Sequence, residues 1–72
     1  MAKQRLSNRL RVARAERNIS QEELANMAGV SRQTISSIET CQYIPSALLA
    51  FILAQKLGKP VEELFLLEGD EE

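Results

Sequence analysis

Residues 20–39 read Ser20-Gln21-Glu22-Glu23-Leu24-Ala25-Asn26-Met27-Ala28-Gly29-Val30-Ser31-Arg32-Gln33-Thr34-Ile35-Ser36-Ser37-Ile38-Glu39, and this stretch decides the fold. Ser20 followed three residues later by Glu23 is a capping box: the hydroxyl accepts from the third helical amide and the carboxylate reaches back to the Ser20 amide. The helix so opened carries Leu24, Ala25 and Ala28 inward and stops at Gly29, which takes a left-handed cap without strain. Only Val30 lies between Gly29 and Ser31, and Ser31 caps a second helix from Arg32 to about Thr40 with Ile35 and Ile38 as its apolar positions. Two helices joined by Ala28-Gly29-Val30-Ser31 cannot lie antiparallel side by side on so short a link. They must cross steeply.

Helical signals continue outward on both sides. Asn8 to Arg17 holds neither Gly nor Pro, and Leu10 and Ala13, with Leu6 as an outlying member, form an apolar stripe. Asn18 breaks that helix, and Ile19 can fold back as a staple. After a loop from Cys41 to Pro45, Ser46 opens a fourth helix through Leu57, which Gly58 caps. Pro60 starts a short fifth helix from Val61 to Phe65. Leu66 and Leu67 either end that helix or form a brief strand. The expected fold is all-α: five helices in one domain over residues 1–67, followed by an acidic tail over residues 68–72.

Composition narrows the function. Seventy-two residues make a single domain that buries roughly 60% of its unfolded surface, so oligomerisation is the expected source of extra stability. Cys41 is the one cysteine and histidine is absent, so no disulfide or zinc site can form within the chain, and no cofactor is expected. The longest apolar run, residues 47–54, is far short of the roughly 20 residues that span a bilayer. A cytoplasmic protein without membrane contact or small-molecule ligand is expected. No Gly-rich phosphate loop or paired catalytic acids appear, a domain this small offers no pocket of catalytic size, and an enzyme is not expected. Net charge is −1, but residues 1–40 hold seven basic groups against four acidic ones, while residues 41–72 hold two against six. A basic half that meets a polyanion and an acidic half turned away would reconcile these totals; arginines that merely solvate helix faces would also do so.

The segments Gln21-Glu22-Glu23-Leu24-Ala25, Ala28 to Ser36 and Ile38-Glu39, followed by Tyr43, Pro45-Ser46, Ala54, Leu57-Gly58 and Glu63-Leu64-Phe65, resemble the Cro/CI-like (Xre) family of helix-turn-helix proteins in order and spacing. The resemblance covers about residues 8–67. It implies a five-helix lambda-repressor-like domain with the helix-turn-helix at the second and third helices. It also implies binding to double-stranded DNA and, for short stand-alone members, repression by a dimer. It places Gln21 against backbone phosphate and pairs Arg14 with Glu39. That pair would be worth under about 1 kcal/mol if exposed. If it is buried, loss of one partner would cost roughly 3–5 kcal/mol.

The third helix carries the expected reading surface. Arg32, Gln33, Ser36, Ser37 and Thr40 share one face, opposite Ile35 and Ile38. Apart from Arg32 that face is uncharged and everywhere capable of hydrogen bonding, which suits the donor and acceptor pattern of a major groove. Arg32 can pair with guanine and Gln33 with adenine; Ser36 and Ser37 permit close approach. Gln21, Ser31, Thr34, Thr40, Gln42 and Arg11 are the candidate phosphate contacts. Family members tend to follow the recognition helix with a basic residue, Gly, and Lys or Arg. Here the run is Thr40-Cys41-Gln42, so modest, less salt-sensitive binding is expected, and Cys41 lacks glycine's ease in a left-handed cap. Its thiol is either incidental or a redox group beside DNA.

Residues 47–54, Ala-Leu-Leu-Ala-Phe-Ile-Leu-Ala, are apolar around the whole helix. If Ala47, Ala50, Leu53, Ala54 and Leu57 supply the core, then Leu48, Leu49 and Ile52 face out as a dimer interface, which Leu66 and Leu67 would extend. The other arrangement packs all eight residues internally. Two function classes follow: a homodimeric repressor on a palindromic operator, or an antitoxin or other protein-interaction module with secondary DNA binding.

Overall fold

The computed structural model describes residues 3–70. In chain order its elements are β1 (Lys3–Asn8), α1 (Leu10–Glu16), α2 (Gln21–Ala28), α3 (Arg32–Glu39), α4 (Ala47–Leu57), α5 (Val61–Leu64) and β2 (Phe65–Asp70).

Four of the five helices end by one local device. The first residue past α2 and α4, and the second past α1 and α3, enters the left-handed region, and the next amide turns back to a carbonyl about one turn earlier. The left-handed residues are Asn18, Gly29, Cys41 and Gly58, with φ of 58°, 74°, 62° and 67°. The returning bonds run from Ile19 to Arg14, Val30 to Ala25, Gln42 to Ser37 and Lys59 to Ala54, at 2.9–3.0 Å. Cys41 therefore takes the glycine-like conformation despite its Cβ. At Gly58 a side chain would also crowd Arg17, whose Nη1 lies 2.7 Å from the position a Cβ would occupy. That Nη1 donates to the Leu57 carbonyl at 2.8 Å, placing a cation on the C-terminal end of α4.

Starts are set by serines. The Ser20, Ser31 and Ser46 hydroxyls accept from the amides of Glu23, Thr34 and Leu49. Glu23 returns to the Ser20 amide at 2.8 Å, completing the box at α2.

The core gathers one stripe from each helix, Leu10 and Ala13, Leu24 and Ala25, Ile35 and Ile38, Leu53, Ala54 and Leu57, then Leu64, and adds Phe65 from the start of β2. Leu6, Ile19 and Val30 pack against it from strand and turns. Ile19 and Val30 are the residues just past the helix caps, so the same turns that stop the backbone also close the core.

The expectation of an all-α fold is corrected at the two ends. β1 and β2 form a two-stranded antiparallel sheet in which Leu6 faces Leu67, Arg5 faces Glu68 and Lys3 faces Asp70. Asn8, read as the first residue of a helix, ends β1 instead. Its Oδ1 accepts from the Leu10 amide at 3.1 Å and its Nδ2 donates to the Ile38 carbonyl at 2.9 Å, so from just before the cap it braces the start of α1 and ties the sheet to α3. Phe65, read as the end of α5, begins β2. Leu66 and Leu67 take the strand alternative, and the strand continues through Glu68 and Gly69 to Asp70; Glu71 and Glu72 lie outside the described residues.

Candidate nucleic-acid interface

The turn between α2 and α3 holds Gly29, Val30 and Ser31, and each has a structural reason. Gly29 supplies the left-handed cap, Val30 fills the gap between the helices, and Ser31 starts α3. With Ile35 and Ile38 fully buried, α3 is fixed in rotation about its own axis. Its opposite face is then set by helical periodicity. Arg32 and Gln33 are exposed at the N-terminal end, and Ser36 and Ser37 are half-buried beside them. Among the described residues nothing hydrogen-bonds to the Arg32 or Gln33 side chains, so both fork-shaped donor groups face solvent with full capacity.

The candidate phosphate contacts differ in what they have left to give. Ser31 and Thr34 share one bond between their hydroxyls at 3.0 Å, which leaves the pair one free hydrogen. The Thr40 hydroxyl donates to the Ser36 and Ser37 carbonyls at 3.1 and 3.3 Å, so its single hydrogen is committed inside the chain. Gln42 is exposed, while its amide donates to the Ser37 carbonyl at 2.9 Å. Gln21 is half-buried at the start of α2, and its Nε2 donates to Glu39 Oε1 at 3.0 Å. Arg11 is 70% exposed, with its Nε 3.7 Å from the same oxygen.

Arg14 and Glu39 meet across α1 and α3. Arg14 Nε donates to Glu39 Oε2 at 2.6 Å and Nη2 to Oε1 at 3.2 Å, while Nη1 reaches the Ile19 carbonyl at 2.9 Å. The Glu39 side chain is 1% exposed and that of Arg14 is 15% exposed. Burial pushes the Glu39 carboxyl upward. The hydrogen bonds from Arg14 and Gln21, and the charges of Arg14 and Arg11, outweigh it and hold the carboxyl below its ordinary value.

Residues proposed for subunit contact divide unequally. Leu48 and Leu67 are 72% and 68% exposed, whereas Leu49, Ile52 and Leu66 are half-buried. Leu49 packs against the core, and Ala47, expected in the core, is exposed. Phe51, not singled out in the sequence, is 63% exposed one turn from Leu48. The helical step from Leu48 to Phe51 was the available signal, hidden because every neighbour is apolar. The sequence also gave no hint of a cleft, yet α1 and the α5 region leave one of about 300 Å³. It is floored by Val12, Ala13 and Leu64 and edged by the ion pair of Lys59 with Glu16.

A tight turn between two short helices, with the second presenting a free polar face, defines a helix-turn-helix DNA-binding protein. The helix-turn-helix family model matches residues 10–64, and the chain belongs to this family, in its Cro/CI-like (Xre) branch of transcriptional regulators. It is 47% identical over 66 residues to an uncharacterized HTH-type transcriptional regulator of Methanocaldococcus jannaschii, spanning 92% of this chain and all of the relative. It is 38% identical over 65 residues to YgzD, an uncharacterized HTH-type transcriptional regulator of Bacillus subtilis, covering 90% of this chain and 98% of that one. Among solved structures it is similar to the restriction-modification controller protein C.AhdI from Aeromonas hydrophila. The TM-score is 0.72 at 33% identity, over 76% of this chain and 80% of that one. A putative DNA-binding protein from Bacteroides fragilis superposes with a TM-score of 0.78 at 28% identity, over 85% and 98% of the two chains. Among the described residues no helix is long and apolar enough to cross a membrane.

Proposed function

We propose that the protein is a cytoplasmic repressor that occupies a palindromic operator as a homodimer. The observation that carries this reading is the state of α3: two apolar residues lock it against the core, and the opposite face offers Arg32 and Gln33 with no partner among the described residues. Arg32 reads guanine and Gln33 adenine in the major groove, with Ser36 and Ser37 allowing close approach. Gln21, Arg11, Gln42 and the Ser31–Thr34 pair hold backbone phosphates. Thr40 contributes only if its hydroxyl leaves the Ser36 and Ser37 carbonyls.

The exposed apolar face of α4, Leu48 and Phe51 flanked by Leu49 and Ile52, together with Leu67 and Leu66, is the proposed contact between two copies. A two-fold axis through such a face sets the two α3 helices about 34 Å apart, one turn of DNA. The similarity to a restriction-modification controller protein fits a DNA-binding regulator.

Sedimentation of the protein with a duplex it has selected from a random pool tests the proposal. Two chains per duplex, together with loss of transcript when that duplex is placed in a promoter, are expected. One chain per duplex, or transcription unaffected at saturation, would overturn it.

A further inference from the structure

Glu39 is an acid at the edge of a surface built for a polyanion, and the structure surrounds it with donors from two other helices, α1 and α2. Oε2 accepts from Arg14 Nε. Oε1 accepts from Arg14 Nη2 at 3.2 Å and from Gln21 Nε2 at 3.0 Å, with Arg11 Nε at 3.7 Å. Arg14 alone suffices to balance the charge. The contact with Gln21 is therefore surplus to neutralising the acid, and it joins a buried carboxylate to a residue assigned above to the DNA backbone.

We propose that Glu39 is a positioning residue for the backbone contact: it sets the Gln21 amide, and loosely Arg11, for a phosphate oxygen. The inference rests on the assignment of Gln21 to phosphate. A carboxylate can only accept, so it fixes which end of the Gln21 amide turns toward it. One N–H of Nε2 is spent on Glu39 and the second remains to donate. The Ser20 cap claims the Glu23 amide, and the Ser20 carbonyl claims the Leu24 amide, so the Gln21 and Glu22 amides at the start of α2 stay available to the same anion. A free glutamine loses rotamer freedom when it binds; one already held at 3.0 Å has lost it beforehand. Arg11 is held differently. At 3.7 Å and 70% exposed, it can exchange Glu39 for a phosphate at little cost.

The proposal reverses the sign expected from charge alone. Glu39→Gln removes a negative charge beside DNA, which by itself tightens binding. If Glu39 orients Gln21, the same change weakens binding, because a neutral amide presents both a donor and an acceptor and no longer dictates the Gln21 orientation. Affinity is measured by fluorescence anisotropy at one salt concentration, on a duplex the wild-type protein has selected, with folding of each variant checked by circular dichroism. Gln21→Met should weaken binding about tenfold, the scale of one hydrogen bond to a charged group. Glu39→Gln should weaken it comparably, and Gln21→Met with Glu39→Gln should be no weaker than Gln21→Met alone. If E39Q does not fold, Arg14→Met with Glu39→Met removes the ion pair as a unit and should show the same loss. Tighter or unchanged binding by E39Q or the double-methionine variant, while Gln21→Met binds weakly, would overturn the positioning role and leave Gln21 on the phosphate. Full affinity in Gln21→Met would remove the backbone assignment and this inference with it.

Discussion

Replacing Arg14 with Ala should destabilise the protein by about 3 kcal/mol at neutral pH, and less in acid. The magnitude starts from the cost of stranding one member of a buried pair, roughly 3–5 kcal/mol. Arg14 is itself 15% exposed, and Glu39 keeps its bond from Gln21 and the nearby Arg11, which moves the expectation to the lower end. Loss of the bond to the Ile19 carbonyl adds to the cost and keeps it from falling further. For a domain of this size, 1 kcal/mol corresponds to about 4–8 °C in Tm, so a fall on the order of 12–24 °C is expected. The pH dependence identifies the cause. In the wild type the Glu39 carboxyl is held below its ordinary value of 4.5. Its stabilising contribution is therefore full above that value and is lost as pH falls through the folded-state pKa. Without Arg14 the burial effect loses its main opponent and the carboxyl moves upward. The variant then carries a poorly compensated buried charge at pH 7, and acidification to pH 4 moves that carboxyl toward its protonated form sooner than in the wild type. Urea unfolding at both pH values measures the difference. A loss below about 1 kcal/mol at pH 7, or an equal loss at both, would refute the view that a buried Arg14–Glu39 pair ties α1 to α3.

Other outcomes test other parts of the structure. Arg32→Ala and Gln33→Ala should each relax specificity at one base pair per half-site by roughly 1–3 kcal/mol, read by anisotropy against a panel of base-substituted duplexes. Leu48→Lys and Phe51→Lys should yield monomers by sedimentation, with operator binding weakened and Tm of the monomer little changed. Ile52→Lys, half-buried, should also lower stability. Cys41→Gly should raise stability by about 1 kcal/mol in urea unfolding, since Cys41 sits at φ 62° where a Cβ is strained. Leu53→Ala, at a fully buried site, should cost about 2–5 kcal/mol.

The helices were legible because their punctuation is local. Ser20, Ser31 and Ser46 announce starts, and Asn18, Gly29 and Gly58 announce stops, through bonds that span fewer than six residues. The sheet was not legible for the opposite reason. Its strands lie at the two ends of the chain, and residues 3–8 carry one strong apolar residue, Leu6, so neither alternation nor an apolar run marks a strand. The faint signal was charge order: Lys3 and Arg5 at one end match Asp70 and Glu68 at the other in antiparallel register, and Arg5 Nη2 lies 3.5 Å from Glu68 Oε1. The acidic end was read by composition as a tail, and composition says nothing of such pairing. On α3, periodicity sufficed to separate Ile35 and Ile38 from Arg32 and Gln33. On α4 it failed, because a helix apolar all round has no polar face to orient it, and so Ala47 was misplaced and Phe51 went unassigned. The involvement of Gln21 with Glu39 depends on three helices converging, which no spacing in the sequence encodes.

The most direct test of the central claim is a parallel selection of duplexes from a random pool by the wild-type protein and by Arg32→Ala. If two copies lay α3 in adjacent major grooves, the wild type recovers an inverted repeat with half-sites about 10 base pairs apart. A guanine in each half should lose its preference in the Arg32→Ala pool, while the other positions keep theirs. An unstructured wild-type pool, or a consensus that Arg32→Ala leaves unchanged, would contradict the account.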